Sequence, residues 1–135
     1  MLVELLLVVP ILLIILLGIA QFYLMATARE ELLGASRLGA RVAAAGSSNQ
    51  KDQVRSQVQG AVSQALGTGR LHSAQVQVTW PDEVTPPPHG TTDWVQVTIS
   101  IPLKSVVPDV LGWAGMTLGN NTLVVATVAK QECQD

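Results

Sequence analysis

Hydrophobic positions follow three rhythms along the chain, and each predicts a different element. From Leu5 to Ala28 no residue is charged, and Leu, Ile and Val dominate with no recurring polar face. Twenty-four such residues form a helix of about 36 Å, enough to cross a hydrocarbon core of about 30 Å with some tilt. The stretch AREELLGASRLGARVAAAG then keeps Leu32, Leu33, Leu38 and Val42 apolar and sets Arg37 and Arg41 one turn apart on another face. That spacing predicts that the same helix continues beyond the membrane surface and ends at Gly46-Ser47-Ser48-Asn49. Ala35, Gly39 and Ala43 recur every fourth residue, a strip of small side chains that allows close approach of another element. It is expected to pack on the chain's own domain, with an intersubunit role as the alternative.

A second helix is predicted over about Asn49 to Leu66. Ser48 or Asn49 can cap it, Asp52 sits in its first turn, and Gly67 can close it. Val54, Val58, Ala61, Val62 and Ala65 form its apolar stripe. After Gly69 the rhythm changes to two. QVQVTW puts Val76, Val78 and Trp80 on one face, and DWVQVTISI does the same with Val95, Val97, Ile99 and Ile101. The proline-rich PDEVTPPPHGTTD between them is a surface loop joining two antiparallel strands. NTLVVATVAKQE is apolar on both sides from Leu123 to Val128, which predicts a central or better-covered third strand. The stretch from Pro102 to Asn121, with Val106, Val107, Leu111, Trp113 and Met116, is expected to be a short helix or ordered loop closing one end of the sheet. The fold class is therefore α+β: an N-terminal helix over residues 1–46, membrane-spanning over about 5–28, and a head over 47–135 with a second helix and three or four antiparallel strands.

Two residues stand out in the apolar run. Pro10 removes a backbone donor inside the helix, so a kink is expected between Leu6 and Pro10. Glu4 places a lone carboxylate at the mouth of the run. A signal peptide cut after Ala26-Thr27-Ala28 is disfavoured, because its apolar region would be shorter and follow a basic leader. Read alone, Arg29, Arg37 and Arg41 after the run would retain the following part in the cytoplasm.

Composition adds exclusions. The formal net charge is −2 with no Lys/Arg cluster, which argues against a nucleic-acid partner. Cys133 is the single cysteine, so no internal disulfide is possible and no thiol-metal spacing exists. His72 and His89 stand apart from any nucleophile or acid in a recognisable motif, and Asp82-Glu83 reads as surface solubility. Phosphate loops and paired carboxylates at useful spacing are missing, so an enzyme is not expected, nor a metal or cofactor.

Three stretches resemble a known family. LVELLLVVPILLIILLGIAQF is similar to the amino-terminal helix of TadE-like proteins, minor pilin-like components of tight-adherence pilus systems. It shares their Glu near the helix start, Pro in the apolar run and Gly before a polar-aromatic exit. ASRLGARVAAAG, Ala35 to Ala45 in its core, resembles that family's small-residue stretch. VQVTISIPLKSVVPDVLGWAGMTLGNNTLVVATVAKQE resembles its strand, proline-rich turn, connection and last strand. The resemblance implies a pilin-like fold and a structural, non-enzymatic pseudopilin in the bacterial inner membrane with its head outside the cytoplasm. It implies as partners other pilin subunits, the pilus assembly platform, the lipid bilayer, and a prepilin peptidase that trims a basic leader after a glycine. Glu4 would then set the register of assembly, although it is one short of the fifth position usual after processing. No basic leader or glycine precedes Met1, so the expectation is a processed form or a start further upstream. The alternative is a plain membrane-anchored domain whose loops bind an extracytoplasmic partner.

Overall fold

A computed structural model of the chain describes residues 2–46, 48–69, 71–84, 93–109, 112, 115 and 119–131. His89, Leu111, Trp113, Met116 and Cys133 lie outside the described residues. Helix α1 runs Leu2–Ala45, 44 residues, and is unbroken across Pro10. A short 3-10 turn, Ser48–Gln50, leads into α2, Lys51–Leu66. Strands β1 (Gln75–Thr79), β2 (Trp94–Pro102) and β3 (Thr122–Lys130) follow, with the four-residue helix α3, Leu103–Val106, between the last two. This is the α+β layout expected: a long apolar helix, a second helix and a small antiparallel sheet.

Among the described residues the sheet has three strands in the order β1-β2-β3, all antiparallel. Its register sets Val78 beside Val97, Ile99 beside Val125 and Ile101 beside Leu123. Alternation therefore gives one apolar face, and both long helices cover it. Val95, Val97, Ile99 and Ile101 are fully enclosed, as are Val58 and Val62 of α2 and Leu32 of α1. The other face carries Gln75, Gln77, Gln96, Thr98 and Ser100.

β3 departs from the sequence expectation. Among the described residues it is an edge strand whose second apolar side is uncovered, with Val124 56% and Val128 43% exposed. Two-sided hydrophobicity signalled cover on both faces, whereas the helices cover one. α2 also starts differently from expectation. Gln50 takes the cap position with no side-chain cap bond, because the preceding 3-10 turn occupies Ser48 and Asn49. Ala65 is exposed, so the buried stripe of α2 is Val54, Val58 and Val62 alone.

The upper half of α1 is part of the core. Ala28 is the first buried residue along the described helix, followed by Leu32, Ala35, Ser36, Gly39, Ala40, Ala43 and Ala44. Two contacts give its direction against the sheet. Ser36 meets Thr127, and ten residues later the Gly46 carbonyl accepts from Gln131 Nε2 at 3.4 Å. Ten helical residues cover about 15 Å and four strand residues about 13 Å. α1 and β3 therefore ascend together, and the sheet stands along the helix.

Candidate functional site

Among the described residues nothing encloses the lower half of α1. Twelve large apolar side chains between Val3 and Ile19 are half exposed or more. At ~1.5–3 kcal/mol for fully burying each such chain, leaving them in water would cost on the order of 10 kcal/mol or more. The helix is the one among the described residues long and apolar enough to cross a membrane. Glu4 lies in its first turn, exposed, and makes no ion pair among the described residues. Pro10 sits inside the apolar stretch, where the lost donor leaves one carbonyl to be satisfied by neighbours.

Among the described residues, the lowest hydrogen bond from the helix to the head is at Gln21. Its Nε2 donates to the Pro108 carbonyl at 2.9 Å, across 87 residues of sequence. Leu24 packs on the core a turn later, while Phe22 and Tyr23 on the other side of the helix stay exposed. Aromatic side chains at the end of an apolar span suit the headgroup layer. The head thus begins within the last third of the uncharged stretch, and among the described residues Pro108, just after α3, meets it there.

The small strip faces inward. Ala35 and Ala43 are buried, and a Cβ on Gly39 would lie 2.9 Å from Val62 and 3.3 Å from both Val58 and Val97. α1 crosses α2 and β2 at that point with room for a hydrogen atom only. Beside the strip, Ser36 is completely buried. Its Oγ donates to the Leu33 carbonyl at 3.1 Å, which leaves Thr127 Oγ1 to donate across the 2.6 Å separation. The pair satisfies both hydroxyls and ties α1 to β3 at one register. An isolated Ser among alanines gives no sequence signal for this, because its partner is 91 residues away.

At the far end of the sheet, Asp82 and Glu83 form a clamp with α2 rather than the free surface acids expected. Lys51 Nζ donates to Asp82, and Arg55 donates to Glu83 at 2.5 Å. Lys51 and Arg55 also lie over the Trp80 ring, 5.7 and 4.9 Å from its centre. The Lys51 hydrogen bond lowers the Asp82 carboxyl below its ordinary range, with burial opposing and its own backbone and the Arg55 charge assisting.

His72 is exposed beside an open groove of about 300 Å³ between α2 and β1, lined also by Ser56, Gln59, Ser63 and Val76. Among the described residues of that lining, His72 is the one ionisable group. A smaller cleft of about 190 Å³ lies between Leu24, Ala28 and Glu31 of α1 and Leu66, Leu71 and Val106. Among the described residues no cluster of His, Cys, Asp and Glu could hold a metal ion.

Comparison with known proteins places one part of this arrangement. Residues 1–41 match a family described as TadE-like protein. The matched segment holds Glu4, Pro10, the apolar span, Gln21, and Ala35 and Gly39 of the inward strip. No curated protein and no solved structure matches the chain.

Proposed function

From a TadE-like first helix as premise, we propose that the chain is a membrane-anchored minor pilin, a pseudopilin that takes part in assembling a tight-adherence pilus. The observation that carries this reading is the division of α1. Its lower half is apolar on every side with a single carboxylate at its head, and its upper half is fixed into the α+β head by packing. A single rigid rod couples the two, so whatever locates the lower half also locates the head.

The role is structural, with no catalytic step assigned. The lower half of α1 lies in the bacterial inner membrane and the head stands outside the cytoplasm. Its partners are other pilin subunits and the assembly platform, and a prepilin peptidase where a leader is present. Glu4 supplies register. A carboxylate within the apolar layer costs about 2.5–3.5 kcal/mol at a helix centre and less towards an end. The amino terminus of a neighbouring subunit's helix offsets that cost at one axial position only. The same cost is incurred at every other position, so the pairing selects one arrangement.

Glu4→Ala and Glu4→Gln test the reading. Both variants are expected to insert and fold but to abolish pilus formation and co-purification of partner pilins. Full assembly with both would leave a plain membrane-anchored domain as the better account. Mass spectrometry of the mature amino terminus gives an independent check, since a pilin is trimmed and a plain anchor is not.

A further inference from the structure

The head meets α1 low on the helix, and a furrow opens where the two join. Below Gln21 the described helix runs from Leu2 to Ala20, nineteen residues or about 28 Å, against a hydrocarbon core of about 30 Å. Headgroups add roughly 5–8 Å on each side, so they extend from Gln21 to about Ala26. The furrow, of about 190 Å³, starts within that layer. Leu24, Thr27, Ala28 and Glu31 form its α1 side, and steps of three and four residues set them in one line up the helix. The opposite wall is apolar: Leu66 at the end of α2, Leu71 just beyond it, and Val106 at the end of α3. The Thr27 hydroxyl donates to the Tyr23 carbonyl at 3.0 Å and is thus used within its own helix. Among the described residues of the lining, Glu31 is the one charged group, and it is exposed and makes no ion pair. The positions three and four from it, Thr27, Ala28, Gly34 and Ala35, offer no base. Helical side chains lean towards the amino-terminal end, which here is the membrane, so the carboxylate is set downwards along the furrow.

We infer that this furrow seats a phospholipid with a primary-amine headgroup, phosphatidylethanolamine, whose ammonium pairs with Glu31. Chemistry selects the occupant. Leu24, Leu66, Leu71 and Val106 offer no oxygen to a hydrated ion, and a lone carboxylate repels an anionic headgroup. A choline presents no N–H, and the described lining has no aromatic ring to receive a quaternary ammonium. A primary ammonium presents three donors to a carboxylate, and such charge-assisted bonds are among the stronger ones. The bilayer delivers this lipid with its apolar body below and its amine above. Along α1 the furrow has the same order, Leu24 below and Glu31 above. A seated lipid ties the head to the bilayer at one depth, and it has to leave when the subunit is drawn out into a filament. The inference rests on the membrane placement proposed above and adds a specific lipid to the partners.

Native mass spectrometry of the full-length chain tests the choice of lipid on the unaltered protein. The chain is released from nanodiscs holding equal parts of phosphatidylethanolamine, phosphatidylcholine and phosphatidylglycerol. The ethanolamine lipid is expected to be retained roughly five- to tenfold more than either competitor, the weight of one charge-assisted hydrogen bond near water. Glu31→Gln should remove that preference, while Glu30→Gln, exposed and outside the lining, should keep it. Gly69 lines the furrow, and a Cβ there meets nothing within 4 Å. Gly69→Leu therefore fills the space without disturbing a neighbour and should also remove the preference. Melting temperatures in detergent confirm that each variant is folded, and the ranking of lipids on the parent chain needs no variant. Equal retention of the three lipids, preference for choline or glycerol headgroups, no retained lipid, or a preference that survives Glu31→Gln or Gly69→Leu would each overturn the inference. Lipid retention is read on a single chain without any filament, so it fails independently of the Glu4 experiment.

Discussion

A hydrogen atom is the largest substituent Gly39 can carry without moving its neighbours. The position is helical, so a glycine there gives up about 1 kcal/mol of helix stability relative to alanine, and close packing against Val62, Val58 and Val97 makes up the difference. Gly39→Leu drives a branched side chain into that contact, and overpacking of this kind typically costs about 1–3 kcal/mol, occasionally more. Gly34, one turn below and on the open side, has no such neighbours. Gly34→Ala should therefore stabilise by roughly 0.5–1 kcal/mol, while Gly39→Leu destabilises by about 2–3 kcal/mol or more. Denaturant titration of the two variants side by side checks the opposite signs. The sequence shows Gly39 as one of a strip of small residues, because spacing by four needs no knowledge of the fold. It does not show that Ser36 beside the strip is bonded to Thr127, since a hydroxyl's partner depends on how the sheet is laid against the helix.

The clamp between α2 and the Trp80–Glu83 turn is an element-scale device, and it carries a pH dependence. Lys51 lowers the Asp82 carboxyl below its unfolded value. Folding is then favoured by the ionised form, so the contribution is complete above the ordinary carboxylate range near pH 4. It is lost as pH falls through the lower folded value. Asp82→Asn should lower the melting temperature slightly at pH 7, with the gap to the parent chain closing below about pH 4. A melting series from pH 7 downwards in low salt checks this, and added salt should shrink the gap because the acid is exposed. The elements themselves were largely legible: the apolar run, the 3.6-residue stripe of α2 and the alternation in β1 and β2 depend on local spacing alone. The clamp was not legible, because Lys51 and Asp82 are 31 residues apart and each looks like an ordinary surface charge. β3 was misjudged for a related reason. Its alternation is filled on both sides, and local pattern cannot distinguish a strand covered by its own chain from an edge left open.

At the scale of the whole molecule, the membrane half and the head share one helix but separate at one level. Every buried residue of described α1 lies at Ala28 or beyond, and the lowest hydrogen bond to the head among the described residues is Gln21 with Pro108. Among the described residues, none before Gln21 is counted in the core or packed against it. Removing residues 1–20 should therefore leave a head that folds alone, with Leu24, Leu32, Gly39 and Ala43 still seated on α2 and the sheet. Size-exclusion chromatography without detergent is expected to give a soluble species, with the circular dichroism of an α+β fold and cooperative melting. Extending the deletion through Ala44 removes the layer that covers Val97, Ile99 and Val125 and exposes Thr127, so that form should be unfolded or aggregated. The contrast is what the register of α1 demands, since the helix ascends with β3 over the length of the sheet. Were the shorter deletion to unfold as well, the apolar half would be contributing to the core, and α1 could not be read as an anchor joined to an independent head.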